Sequence, residues 1–136
     1  MKTVLAFGTF DVLHLGHLSY LRQAKRLGDR LVVVVARDAS VLKGKGKKPF
    51  FSERERKEML SSLSLIDEVL LGDTRDHFVV FAKVQPDVVC LGYDHVLSAK
   101  ALKNILKERG MQAVRICRAK AYKPQQYKSH LIKKMA

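Results

Sequence analysis

"TVLAFGTFDVLHLGHLSYLRQAKRLGDRLVVVVA", residues 3–36, passes from one β-branched apolar run through a short polar stretch and a helical pattern into a second such run. The flanking runs, "TVLAFG" and "RLVVVVA", are continuous rather than alternating, as in strands buried on both faces of a parallel sheet. Between them Leu18, Leu21, Ala24 and Leu27 recur at helical spacing, with Gly28 where a helix would stop. This is one βαβ unit.

The alternation continues outward. "SERERKEMLSSL" reads as a helix with Ser52 as N-cap and Glu55 three residues on, a capping box. "DEVLLG" is a strand, "DHFVVFAKVQ" a helix closed by Pro86, "DVVCLG" a strand, "AKALKNILKERG" a helix ending at Gly110, and "QAVRIC" a fifth strand. An irregular "RAKAYKPQQYK" precedes a short helix, "SHLIKKM", capped by Ser129. Strands and helices in alternation predict a doubly wound, Rossmann-like α/β fold: a parallel sheet of about five strands in a three-layer α/β/α arrangement. A single domain over residues 1–136 is expected, with no internal repeat and one biased segment, "KGKGKK", at residues 43–48.

Composition narrows the partners. Lys and Arg number 26 against 13 Asp and Glu, a formal charge of +13 that favours a polyanionic ligand: nucleic acid, an acidic membrane surface or phosphorylated small molecules. No apolar run approaches the roughly 20 residues needed to span a bilayer, and "MKTVLAFGTFD" lacks the features of a leader peptide, so a soluble cytoplasmic protein without a membrane partner is expected. Cys90 and Cys117 lie within strand-like runs and read as small buried thiols.

In such a sheet, ligands bind beyond the carboxyl ends of the strands, so the loops that follow strands pool the candidates. In "GTFDVLHLGH", residues 8–17, Gly8 and Thr9 allow a tight passage and Asp11 supplies a carboxylate before a helix begins near His17. Backbone N–H groups and the positive end of the helix dipole attract phosphate there. Gly16 permits close approach, and His14 and His17, one helical turn apart, add imidazole donors on the same side. Zinc fits poorly: no third ligand is spaced nearby and a helix N-terminus repels a cation, so no protein-held metal site is expected.

"GTFD" followed by "HLGH" resembles the cytidylyltransferase-like branch of the nucleotidyltransferases, whose HxGH signature it carries. The resemblance runs through the lysine-bearing stretch before "SERERKEM", the "LGYD" after the fourth strand and the helical tail. It implies transfer of a nucleoside monophosphate from a nucleoside triphosphate to a phosphorylated acceptor, with release of pyrophosphate. "ARDASVLKGKGKKPFFSERERKEML" and the chain length are most similar to the small archaeal FAD synthases, which adenylylate FMN with ATP. The competitor is glycerol-3-phosphate cytidylyltransferase, which makes CDP-glycerol from CTP. That family carries an "RTEGIST"-like segment, where this chain has "RAKAYKPQQYKS", keeping Arg118 and Ser129 but losing the acidic and glycine positions.

By this resemblance His14, His17 and Lys43 are the catalytic residues, the two histidines contacting the triphosphate in the transition state. Gly8, Thr9, Phe10, Asp11, Gly16, Lys45, Arg56, Gly92, Asp94, Arg118 and Ser129 complete the nucleotide site. Asp11 would orient substrate or Mg²⁺, Gly92 and Asp94 would border the nucleoside, and Arg118 would reach a triphosphate oxygen. Mg²⁺ or another divalent cation would accompany the triphosphate, bridging its oxygens. The resemblance also allows a homodimer. Gly44 and Gly46 make "KGKGKK" flexible and its lysines repel one another, so a mobile lid that orders on bound triphosphate is expected. An RNA-binding module is the alternative of another class that the charge offers. The absence of Trp and of interleaved aromatic residues argues against a nucleic-acid partner.

Overall fold

The computed structural model describes residues 1–95 and 97–122; the helix expected from Ser129 lies outside the described residues. In chain order the elements are β1 (Thr3–Gly8), α1 (Leu15–Lys25), β2 (Arg30–Val35), α2 (Asp38–Lys45), α3 (Glu53–Ser61), β3 (Glu68–Leu71), α4 (Val79–Val84), β4 (Val88–Leu91), α5 (Ala99–Glu108) and β5 (Arg115–Arg118). They build a five-stranded sheet in the order β3-β2-β1-β4-β5, every neighbouring pair parallel. The doubly wound fold is therefore present.

Side-chain alternation divides the core in two. Val4 and Ala6 of β1 with Leu31, Val33 and Val35 of β2 face Leu21 and Ala24 of α1 and Leu60 of α3. Leu5, Val32, Val34 and Val89 face Phe81 of α4 and Leu102 and Leu106 of α5. Helices thus cover both faces of the sheet, which is why the central strands read as unbroken apolar runs. Each such side chain withdrawn from water contributes about 1.5–3 kcal/mol before conformational entropy is set against it.

The winding order places a crevice. From β1 the chain proceeds to β2 and β3 on one side, then crosses so that β4 pairs with the other edge of β1. The β1–β4 ladder joins Val4 to Val88, Leu5 to Val89 and Ala6 to Cys90. Past it, the Tyr20 hydroxyl enters from α1, donating to the Cys90 carbonyl and accepting the Phe7 N–H at 3.2 Å. One buried phenol thereby replaces the next rung of the sheet. At β2 the entry is tight: a Cβ on Gly28 would stand 2.8 Å from the Lys2 carbonyl oxygen and 2.7 Å from a Val4 methyl. Gly28 is needed for close approach, since the helix ends earlier, with Arg26 as its C-cap.

Two features were not legible in the sequence. Lys43 and Lys45 belong to the last turn of α2, a helix that the basic, glycine-punctuated sequence hides. Its first turn is anchored from α3, where the Glu53 carboxylate accepts the Asp38 N–H at 2.9 Å and pairs with Arg37 at 3.1 Å. Gly46, at φ 76°, closes the helix in the left-handed conformation. Residues 46–48 then follow as an exposed bend.

Arg56 is the second. Its side chain, on α3, is completely buried. Nη1 donates to the carbonyls of Thr9 and Ala36, both at 2.8 Å, Nε to that of Phe51 at 3.1 Å, and Nη2 to the Asp38 carboxylate at 2.7 Å. A buried guanidinium is tolerable only when its donors are satisfied in this way. Arg56→Met should lower unfolding free energy by about 3–5 kcal/mol, because it strands the Asp38 carboxylate and the inward-turned carbonyls together. Arg56→Lys should recover little of this, since an ammonium lacks the planar fork. Urea unfolding measures both; a loss below about 1 kcal/mol for Arg56→Met would show that the cluster is dispensable.

Candidate active site

Beyond β1 the chain turns at Phe10, whose φ of 52° is unusual for a residue with a side chain. The strain, of order 1–3 kcal/mol, is held by packing: the ring is buried, edge-on to His17 at 5.3 Å and stacked with Tyr20 at 6.2 Å. Asp11 follows, buried, its two carboxylate oxygens accepting the N–H groups of Phe50 at 2.8 Å and Phe51 at 2.9 Å. This carboxylate ties the loop after β1 to the segment that leads into α3.

The histidines cap α1. His14 is its N-cap, and His14 Nδ1 accepts the Gly16 N–H at 3.1 Å while His17 Nδ1 accepts the His14 N–H at 3.2 Å. Two imidazoles here take the places of the Ser and Glu of an ordinary capping box. Because a backbone N–H can only donate, each Nδ1 is an acceptor, and the ring proton sits on Nε2. The rings stack with centroids 3.8 Å apart. Burial, and secondarily the neighbouring His14, lower the His17 pKa to about 3; burial also lowers that of His14, opposed by the Asp94 carboxylate. Both rings are neutral donors at neutral pH.

The facing wall follows β4. His95 Nδ1 accepts the Gly92 N–H at 2.9 Å, which again sets the Nε2–H form, and its ring lies against Phe7 with centroids 5.2 Å apart and planes 15° from parallel. A Cβ on Gly92 would come within 3.0 Å of that ring, so glycine is what lets the loop fold over it. Burial is the first cause of a lowered His95 pKa, with Asp94 opposing. Arg118, at the end of β5, holds the same loop from outside, donating to the carbonyls of Gly92 at 2.7 Å, His95 at 3.1 Å and Leu97 at 2.7 Å. Lys45 is near enough to disfavour protonation of both His17 and His95. The crevice between β1 and β4 thus has His14 and His17 on one wall and His95 on the other, with Asp94 and Lys45 near enough to act on their protonation.

A cytidylyltransferase-like family model matches residues 5–135. The chain belongs to the cytidylyltransferase-like family. It is 44% identical over 113 residues to a protein of Methanosarcina barkeri named FAD synthase, covering 83% of this chain and 80% of that protein. Another FAD synthase, from Thermoplasma acidophilum, is 41% identical over 134 residues, covering 98% of this chain and 93% of its own length. A crystal structure from Thermoplasma volcanium, described as a lipopolysaccharide core biosynthesis protein, superposes with a TM-score of 0.86 at 41% identity, covering 90% of this chain and 98% of that one.

The cytidylyltransferase-like fold brings Gly8, Thr9, Phe10, Asp11, His14, Gly16 and His17 together after β1, with Gly92 and Asp94 opposite, after β4. Three of the expected nucleotide residues also hold the backbone of these loops: Arg56 lies beneath the loop after β1, Asp11 is engaged with Phe50 and Phe51, and Arg118 grips carbonyls of the loop after β4. Lys43 lies exposed on α2. The sequence reasoning passed over His95 and Tyr20. The signal for His95 was a titratable residue three positions after Gly92 in a post-strand loop; Tyr20 resembled any apolar position of its helix.

The depressed histidines link stability to pH. Between the ordinary His value of 6.5 and about 3 the unfolded chain binds a proton that folded His17 refuses. This contribution is therefore whole above pH 6.5 and shrinks as pH falls, by at most about 1.4 kcal/mol per pH unit per group. Urea unfolding should give a smaller free energy at pH 5 than at pH 7. His17→Asn, which retains an acceptor but does not titrate, should flatten that dependence; an unchanged slope would mean that His17 is not the group responsible.

Proposed function

We propose that this chain is an FAD synthase, transferring the adenylyl group of ATP to the phosphate of FMN. The observation that carries the reading is the joint one: relatives named FAD synthase at 41–47% identity over most of their length, and two neutral histidine donors at the switch point of the sheet. An FMN phosphate oxygen forms the new bond to the α-phosphorus, the bond from that phosphorus to the β-bridging oxygen breaks, and pyrophosphate leaves with the electron pair. No protein nucleophile is required; positioning and charge stabilisation supply the catalysis.

His14 and His17 offer Nε2–H donors to oxygens that gain charge as the α-phosphorus reacts, supported by the positive end of the α1 dipole. Lys43 and Lys45 on α2 meet the triphosphate from the rim, and the loop of Gly92, Asp94 and His95 receives the nucleoside. Arg56, Asp11 and Arg118 act as positioning residues. A divalent cation such as Mg²⁺ would accompany the triphosphate. Such an ion, bound with the triphosphate, would neutralise phosphate charge.

Incubation with Mg²⁺, each of the four nucleoside triphosphates, and either FMN or glycerol 3-phosphate, with products identified by mass, tests the reading. FAD from ATP and FMN is expected; CDP-glycerol from CTP with no FAD would overturn it. His14→Ala and His17→Ala should each lower kcat by roughly 10²-fold with much smaller losses of nucleotide binding. Near-normal turnover alongside a reduced Tm would instead make the histidines structural.

A further inference from the structure

We propose that Phe50 is the stacking platform for the flavin ring of the acceptor, an inference that rests on the FAD synthase reading and adds the acceptor's subsite to it. Phe50 is 69% exposed, a large apolar ring left in water by a chain that buries Phe10 and Phe81 to 4% exposure. Its placement is nonetheless fixed. The backbone N–H groups of Phe50 and Phe51 both bind the buried carboxylate of Asp11, three residues before His14 in the loop after β1. Phe51 braces the exposed ring edge-on, with centroids 4.9 Å apart and planes at 83°. The Phe51 carbonyl is in turn held by Arg56.

An exposed aromatic face on a rigid mount, tied to the histidine loop, is suited to a planar aromatic ligand, which it engages at little cost in ordering. The location distinguishes the acceptor from the nucleotide. The nucleoside wall follows β4, whereas Phe50 lies in the connection between α2 and α3, its backbone tied to the loop after β1. Lys47 and Lys48, exposed three and two residues before it in the chain, and Lys45, near His17, add positive charge to this segment. A flavin mononucleotide has that pattern: a flat apolar ring at one end and a phosphate dianion at the other. Its phosphate would thereby point toward the α-phosphorus held at α1.

Steady-state kinetics and flavin fluorescence of the intact chain test this. Phe50→Leu should raise the KM for FMN roughly five- to ten-fold, the scale of one lost aromatic stack, while the KM for ATP stays within about two-fold. Phe50→Trp should restore the FMN KM and, by placing an electron-rich indole against the flavin, quench FMN emission beyond the level of the parent chain. Equal rises in both KM values, or an FMN KM unchanged in Phe50→Leu, would overturn the assignment. So would Tyr93→Ala producing the selective FMN defect in place of Phe50→Leu, which would put the ring on the opposite wall. FAD formation by the parent chain with an indifferent Phe50 rejects this inference alone; no FAD formation by the parent chain removes the reading beneath it as well.

Discussion

One buried guanidinium sets the shape of the carboxyl end of the sheet. Arg56 reaches from α3 to carbonyls in the loop after β1 and the loop after β2, and to Asp38 at the start of α2. Asp11 answers in the opposite direction, its carboxylate taking two N–H groups at the entry to α3. A cation on the helix side and an anion on the loop side thus interlock segments that would otherwise be free to move. Loops that carry chemistry are ordinarily the mobile part of an α/β protein; here their backbone is pinned by groups whose desolvation makes breaking the contacts costly.

On the proposed FAD synthase reading, with the backbone fixed, the donors nearest the reaction need not be charged. His14, His17 and His95 each use Nδ1 to accept a backbone N–H, and burial keeps them from taking a second proton. A fixed cation there would grip the ground-state triphosphate as firmly as the transition state. A neutral donor aimed at an oxygen that gains charge favours the latter. The permanent positive charge lies farther out, on the exposed lysines of α2 and the bend after it, where it steers anions inward and weakens with salt.

The fold was legible because its signal was repeated: continuous β-branched runs and helical spacing agree along the chain. The "HLGH" pair was legible for a similar reason, two titratable residues and a glycine at a predicted strand-to-helix junction. What the sequence did not reveal are the contacts made between residues distant in the chain. Arg56 looks like any polar residue of an amphipathic helix until Thr9 and Ala36 fold against it. Lys43 and Lys45 look like a disordered run, because the anchor that makes their segment helical, Glu53, is supplied by the next element. Arg118 has its partners 21 to 26 residues upstream. His95 failed for a different reason, standing alone without the spacing that drew attention to the first pair.

The central claim is that the crevice works through neutral imidazoles locked in the Nε2–H form. Long-range ¹H–¹⁵N correlation spectra of the histidine side chains at pH 7 read protonation and tautomer directly. For His14, His17 and His95 the account predicts one protonated nitrogen, Nε2, and one bare acceptor, Nδ1, and for His17 a state unchanged down to pH 6. Imidazolium signatures at pH 7, or a proton on Nδ1 of His14 or His17, would contradict it.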